Sequence, residues 1–203
     1  MQTNDGRIVI ISGKTRSGKT VYVERRTRSD KRIFAWDPED QWSQVRGFQR
    51  VTTRAELARL ADKPGQMKVA YVASANLKEE FNFFCRCAFH WGRFHGGGVV
   101  IAEELADVTT TAKAPDAWGI IIRRGLKRGI TMYCISQRWA EADKTAFGNA
   151  SEYVCFMSAS ADDVTYLCRK TRIPGEELDQ LMPLQYIRFE PGKPLERGKI
   201  KFR

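Results

Sequence analysis

Eight residues near the N-terminus, Gly13-Lys14-Thr15-Arg16-Ser17-Gly18-Lys19-Thr20, have the types and spacing to hold a triphosphate. In a GxxxxGKT pattern the glycines let the backbone turn without a Cβ in the way, so successive N–H groups face the β- and γ-phosphates. Lys19 adds a point charge, Thr20 offers the first hydroxyl of a helix as a Mg²⁺ ligand, and the helix N-terminus contributes partial positive charge. The second candidate group is the pair Glu103-Glu104. Glu103 would sit near magnesium and its waters, and Glu104 would polarise the attacking water of a metal-assisted hydrolysis. Gln137 is the third: placed between these two groups at a strand end, it would sense the γ-phosphate or orient water. Spacing alone gives its neighbour Arg138 no task. No NKxD-like guanine-reading element stands in its usual place, so the expected ligands are ATP and Mg²⁺.

Strand ends must carry these groups to one place. Ile8-Val9-Ile10-Ile11 reads as a strand buried on both faces, because its apolar run is continuous rather than alternating. A helix over about Gly18–Arg28 follows, then a strand over Lys31–Trp36 stopped by Asp37-Pro38. Residues 39–65 carry less pattern; Thr53 with Glu56 is a capping box opening a helix to about Ala61. Met67–Ala73 is the next strand. A helix over about Leu77–Phe94 bears a stripe from Phe81 to Trp91 punctuated by Arg86 and Arg93, and its period favours core packing over base stacking. Gly96-Gly97-Gly98 ends it and leads into Val99–Glu104.

Thr109–Pro115 is loop-like, and Asp116–Lys127 is helical. That helix ends in Arg123-Arg124-Gly125-Leu126-Lys127-Arg128, a basic cluster able to reach a phosphate across a subunit boundary, to touch a nucleic-acid backbone, or simply to cap the helix. Strands over Ile130–Ile135 and Tyr153–Met157, a helix over Ser160–Arg172 stopped by Ile173-Pro174-Gly175, and a β-hairpin over 184–203 with a basic outward face complete the chain. The fold expected is α/β, a single domain over residues 1–203 with the hairpin as an appendage and the nucleotide at the strand C-termini.

With 34 basic against 24 acidic residues the net charge is +10, which favours a polyanionic partner, nucleic acid first and an anionic membrane surface second. The five cysteines are odd in number, and Cys134 and Cys155 lie in apolar runs, as buried thiols in a reducing compartment do. Cys85, Cys87, His90 and His95 complete no zinc spacing. No secretion signal is expected, and no membrane span, since no apolar run approaches about 18 residues.

The run from Arg123 through Arg138 to Asp143-Lys144-Thr145, the Ala102-Glu103-Glu104 strand end and Trp36-Asp37-Pro38 together resemble the FtsK-HerA superfamily of P-loop ATPases. Within it, the chain is most similar to the small genome-packaging ATPases of tailless, internal-membrane-containing viruses, over roughly residues 5–190. The resemblance implies a RecA-like three-layer fold with a mostly parallel sheet, assembly into a homo-oligomeric ring, usually a hexamer, and translocation of double-stranded DNA. Gly13–Thr20 fall on the Walker A loop, Val99–Glu104 on Walker B and Gln137 on the sensor glutamine. The trans-acting arginine finger points to Arg124 or Arg128, with Arg123 as the spare. Capsid-vertex or packaging proteins would be partners, at the virion packaging vertex and in the host cytoplasm during assembly.

Two positions depart from the pattern: Glu103 stands where aspartate is usual, and Trp139 where proline is frequent. The extra domains of chromosome-segregating and repair members are not seen. One alternative is single-stranded DNA export, whose ATPases typically need a membrane-spanning segment. Another is an ATP-binding switch or structural vertex protein with little turnover, which would not require Glu104.

Overall fold

The continuous apolar runs become the central strands of one sheet in a computed structural model that describes residues 6–201. Among the described residues nine strands are present: β1 (Ile8–Ser12), β2 (Arg32–Trp36), β3 (Phe48–Val51), β4 (Met67–Tyr71), β5 (Gly98–Ala102), β6 (Ile130–Ser136), β7 (Glu152–Phe156), β8 (Gln185–Phe189) and β9 (Glu196–Lys199). Their order is β3-β4-β2-β5-β6-β1-β7-β8-β9, parallel from β3 through β7 and antiparallel from β7 to β9. The helices are α1 (Lys19–Arg26), α2 (Arg54–Ala61), α3 (Leu77–His95), α4 (Leu105–Val108), α5 (Asp116–Arg124), α6 (Lys144–Gly148), α7 (Ala161–Thr171) and α8 (Gly175–Asp179).

Alternate residues of each central strand feed two separate cores. Ile8, Ile10, Phe34 and Trp36 join one, with side chains from α2, α3, α5, α6 and α7. Val9, Ile11, Ile33 and Ala35 join the other, where the helical cover is α1, through Tyr22 and Val23, supplemented by Trp42 and Ile200. Both faces are dry, which is why β1 reads as an unbroken apolar run. The layers are nonetheless unequal: among the described residues a single eight-residue helix stands opposite the main helical layer.

The aromatic stripe of α3 packs inward as its period demands. Trp91 stacks on Phe34 at 4.4 Å between centroids, and Phe81 lies edge-on to Trp36 at 5.2 Å. At Gly98, φ is +141°, and a Cβ there would lie 2.4 Å from the Trp91 ring. Only glycine lets the chain enter β5 beneath that indole.

Several boundaries differ from the sequence expectation. The stretch 39–65, weakly patterned, supplies edge strand β3, whose Gln49 and Arg50 are exposed and so leave little apolar signal. Thr53 caps α2 by accepting from Glu56 N, but the Glu56 carboxylate accepts from Gln49 rather than closing the reciprocal half of the box. Arg172, at φ +60°, ends α7, and Pro174 then opens α8 instead of only stopping its predecessor.

The C-terminal hairpin forms, yet it extends the main sheet through β8 on β7 rather than standing off as an appendage. Its second strand is Glu196–Lys199, earlier than expected, and Phe202 and Arg203 lie outside the described residues. Part of its basic face is neutralised, while Lys199 and Lys201 are exposed and make no salt bridge among the described residues. Arg188 pairs with Glu152 at 2.7 Å, Glu190 at 3.1 Å and Glu196 at 2.7 Å, and Arg197 pairs with Glu177 at 2.7 Å.

Glu152, fully buried on β7, also draws Arg26 to 3.5 Å and Arg7 to 3.7 Å. It thus ties α1, the N-terminal segment and the hairpin to the sheet. Removing the buried partner of such a cluster leaves cations that rehydrate only in part. Glu152→Ala should lower unfolding free energy by about 2–3 kcal/mol. Urea titration should show the midpoint falling at an unchanged slope.

Candidate active site

The loop leaving β1 is bent by positive φ angles at Gly13 (+150°), Arg16 (+62°) and Gly18 (+110°). A Cβ on Gly13 would lie 2.6 Å from Phe156 Cβ and 2.7 Å from Ser17 Oγ, so the first glycine is required by close approach as well as by conformation. Gly18 provides no side-chain cap for α1, and the first turn holds no acidic residue. The free N–H groups of that turn therefore keep their capacity for an anion.

Lys19 is buried and folds back over the loop, its Nζ donating to Gly13 O at 2.7 Å and Lys14 O at 3.0 Å. Burial pulls its pKa down, while Glu104 and Glu103 hold it up. Ser17 Oγ is buried with no hydrogen-bond partner among the described residues. An ammonium held only by two carbonyls, an orphan hydroxyl and uncapped amides form a cradle that fits a phosphate chain.

The carboxylates come from the end of β5. Glu103 accepts from Trp42 Nε1 at 3.0 Å and lies 3.5 Å from Thr20 Oγ1, which also donates to Gln41 at 3.2 Å. Burial pushes the Glu103 carboxyl up to about 7, against the opposing pull of the Trp42 bond and of Lys19. Glu104 follows in the left-handed region at φ +44°, a conformation costing on the order of 1 kcal/mol for a non-glycine residue. That twist turns the second carboxylate of the pair into the same cleft as the first. Its pKa is also raised, chiefly by burial, while Gln137 beside it favours the charged form. From β6, Gln137 Oε1 accepts from Thr15 Oγ1 at 2.7 Å, so it spans the loop and Glu104.

These groups line one cleft of about 400 Å³, walled by Thr15–Val21, both glutamates and Gln137, with Glu39, Gln41 and Leu184 completing it. Gly13 and Lys14 lie behind the wall, shaping the turn and presenting carbonyls to Lys19. Arg123, Arg124 and Arg128 are not brought in. They precede β6, which runs parallel to β1, and so occupy the sheet edge opposite the loop. Arg138 is engaged with Glu141 at 3.1 Å and Asp107 at 3.7 Å on the surface.

Sequence reading passed over Gln41, Trp42 and Glu39. The available signal is Asp37, which follows the end of β2. Its buried carboxylate accepts from Gln41 N at 2.8 Å and Ser43 N at 2.9 Å, fixing the 3₁₀ turn (Trp42–Gln44) that delivers the indole to Glu103. Among the described residues no group of three or more His, Cys, Asp or Glu side chains could hold a metal by itself. A cation here would need ligand phosphates besides Thr20 and Glu103, which is the donor set a magnesium–nucleotide complex brings.

No protein-family model matches the chain. Protein P9 of Pseudoalteromonas phage PM2 is 28% identical over 178 residues, covering 85% of this chain and 80% of that protein. The structure is similar to the genome packaging NTPase B204 from Sulfolobus turreted icosahedral virus 2 in complex with AMPPCP, with a TM-score of 0.79 at 13% identity, covering 98% of this chain and 100% of that one. The AMP complex of the same protein gives a TM-score of 0.77 at 14% identity, again over 98% and 100%. B204, the DNA-packaging ATPase from Sulfolobus turreted icosahedral virus, gives 0.69 at 16% identity with the same coverage. The chain has the mixed α/β, mostly parallel sheet of a RecA-like P-loop NTPase.

The Glu103 carboxyl holds its proton more tightly in the folded chain than an ordinary glutamate does when unfolded. Ligand-free protein should therefore lose stability as pH rises from about 4.5 through 7, because the unfolded chain releases that proton first. Glu103→Gln should flatten this part of the profile, raising Tm at pH 8 more than at pH 5. Parallel melting curves for the two proteins would lack this difference if Glu103 were already ionised at pH 5.

Proposed function

We propose that this chain hydrolyses ATP as one subunit of a ring-shaped motor that moves double-stranded DNA into a viral procapsid. The observation that carries this reading is the gathering of Lys19, Thr20, Glu103, Glu104 and Gln137 into one cleft at neighbouring strand ends. Similarity to the B204 packaging enzymes, in nucleotide-bound form, supports both the ligand and the task.

Lys19 and the loop N–H groups would grip the β- and γ-phosphates, giving up the contacts Lys19 makes with Gly13 and Lys14. Thr20 and Glu103 would hold magnesium, which when bound neutralises developing phosphate charge. Glu104 takes the proton of the attacking water; its raised pKa makes it a stronger base than an exposed glutamate. The water oxygen bonds to the γ-phosphorus as the bond to the ADP oxygen breaks. Gln137, anchored by Thr15, orients that water.

Arg124 or Arg128, with Arg123 as the spare, would reach only a neighbouring subunit's cleft, since in their own chain they face the other end of the sheet. A hexamer is the expected ring. Basic segments in its channel would touch phosphates rather than base edges, as a sequence-independent motor requires. The candidates are the Arg123–Arg128 cluster and the loop 107–114 with Lys113. The ring would act at the virion packaging vertex with capsid partners, and in host cytoplasm during assembly. No helix among the described residues is long and apolar enough to cross a membrane.

Steady-state ATPase rates with and without double-stranded DNA, read beside the mass of the assembly, test the reading. DNA stimulation in a ring-sized particle is expected; turnover indifferent to DNA in a monomer would overturn it. Lys19→Ala should reduce turnover by about 10²-fold or more, and Glu104→Gln should retain ATP binding while slowing hydrolysis comparably. Glu104→Gln at the wild-type rate would remove the base assignment. Arg124→Ala or Arg128→Ala mixed with Lys19→Ala protein should recover activity if one of them acts in trans. Failure at every mixing ratio would count against a shared interface.

A further inference from the structure

A second concavity, of about 770 Å³, lies on the thinly covered face of the sheet, between α1 and the segment from Trp42 to Phe48. Five cations line it: Arg25 and Arg28 from the end of α1, Arg46, Lys68 and Lys201. Among the described residues Glu24 is the one acidic group in its lining, and Asp30 lies close enough to Lys68 to feel its charge. Among the described residues none of the five cations makes a salt bridge, although Arg7, Arg26, Arg50, Arg54, Arg138, Arg188 and Arg197 all do. Arg25 and Lys68 instead donate to the backbone carbonyls of Lys201 and Arg28, an arrangement that fixes them without neutralising them. Arg25, Arg28, Arg46 and Lys201 are exposed. Helix-dipole compensation accounts for Arg25 and Arg28 alone, not for the convergence of three further cations from other segments.

One wall of the groove is aromatic and leads to the hydrolytic cleft. Lys68 Nζ sits 6.0 Å from the Phe48 ring centroid, Phe48 packs on Trp42 at 5.7 Å, and Trp42 Nε1 donates to Glu103. Trp42 lines the groove and is otherwise fully buried. Any ligand that moves Phe48 or the 3₁₀ turn presses on the hydrogen bond that orients Glu103.

We infer that this groove binds the phosphodiester backbone of double-stranded DNA and reports its occupancy to the hydrolytic site through Trp42. The inference rests on the packaging reading above and adds to it a contact surface distinct from the Arg123–Arg128 cluster. Unpaired, mostly exposed cations on a partly apolar floor suit a polyanion held without base readout. A packed chain of side chains supplies the physical link, whose coupling the experiment must demonstrate.

The test compares wild type, the surface double variant Arg28→Glu/Arg46→Glu, and Trp42→Phe, with random-sequence duplex DNA as probe. For the double variant, basal ATPase should stay within about twofold and DNA affinity should fall about tenfold or more. The slope of log affinity against log salt should shrink by about 1.8, for two lost phosphate contacts. Trp42→Phe should bind duplex with wild-type affinity yet lose stimulation. A DNA-stimulated wild type whose double variant keeps its affinity and salt slope would overturn the groove and leave the motor reading standing. A double variant that loses its ring mass with unchanged duplex affinity would make the groove a subunit interface and also overturn it. Full stimulation of Trp42→Phe would sink the relay. A wild type that neither binds nor responds to duplex would remove the packaging reading itself.

Discussion

A lysine ammonium and two carboxylates kept largely from water must compensate one another, and the architecture is arranged around that requirement. Lys19, Glu103 and Glu104 are each under 10% exposed. Burial alone would drive all three toward neutrality; Lys19 is held nearer its charged form by the two carboxylates, Glu103 by Trp42 and Lys19, and Glu104 by Gln137 and Lys19, with the charge of Glu104 opposing that of Glu103. Such compensation needs three separate stretches of chain to end at one place. Adjacent parallel strands achieve this: β5, β6 and β1 lie side by side, with Ser12 opposite Ser136 and Ala102 opposite Cys134. Their C-terminal ends release Gly13, Glu103 and Gln137 along a single edge.

The unequal layers bear on how this edge is supported. On one face, α3 and its neighbours bury a dense aromatic cluster against β2, β4 and β5. On the other, the helix that carries Lys19 and Thr20 is steadied by Phe156, Tyr186, Leu184 and Ile200. The hairpin therefore belongs to the site as much as to the sheet. Its Arg188 meets buried Glu152 for the same reason, since a charged side chain on the strand laid against β7 must be neutralised where it touches the core.

Much of this was legible in the sequence because the signals were local. GxxxxGKT fixes a turn, an unbroken apolar run marks a strand covered on both sides, and the period of Phe81–Trp91 separates core packing from stacking on a ligand. The placement of Gln137 beside the phosphate loop was readable from its position at a strand end. What escaped depends on contacts distant in the chain. Trp42 stands 61 positions from Glu103 and in a stretch without periodicity. Edge strand β3 exposes half its side chains and so lacks an apolar signature. The left-handed twist at Glu104, which turns the second acid inward, has no marker at all, because glycine or asparagine would ordinarily stand there. The ion-pairing of the hairpin arginines escaped for a complementary reason, their acidic partners being scattered from Glu152 to Glu196.

The bracing of the phosphate turn by the hairpin bears on assembly order during synthesis. Ser17 O accepts from Leu184 N, Leu184 O accepts from Ile200 N, and Arg25 reaches Lys201 across 176 positions. Contacts of such sequence separation form late, because a long loop must close before they reward the closure. A nascent chain would expose its anion cradle unbraced until the final strands clear the ribosome, so a competent nucleotide grip and a completed sheet arrive together.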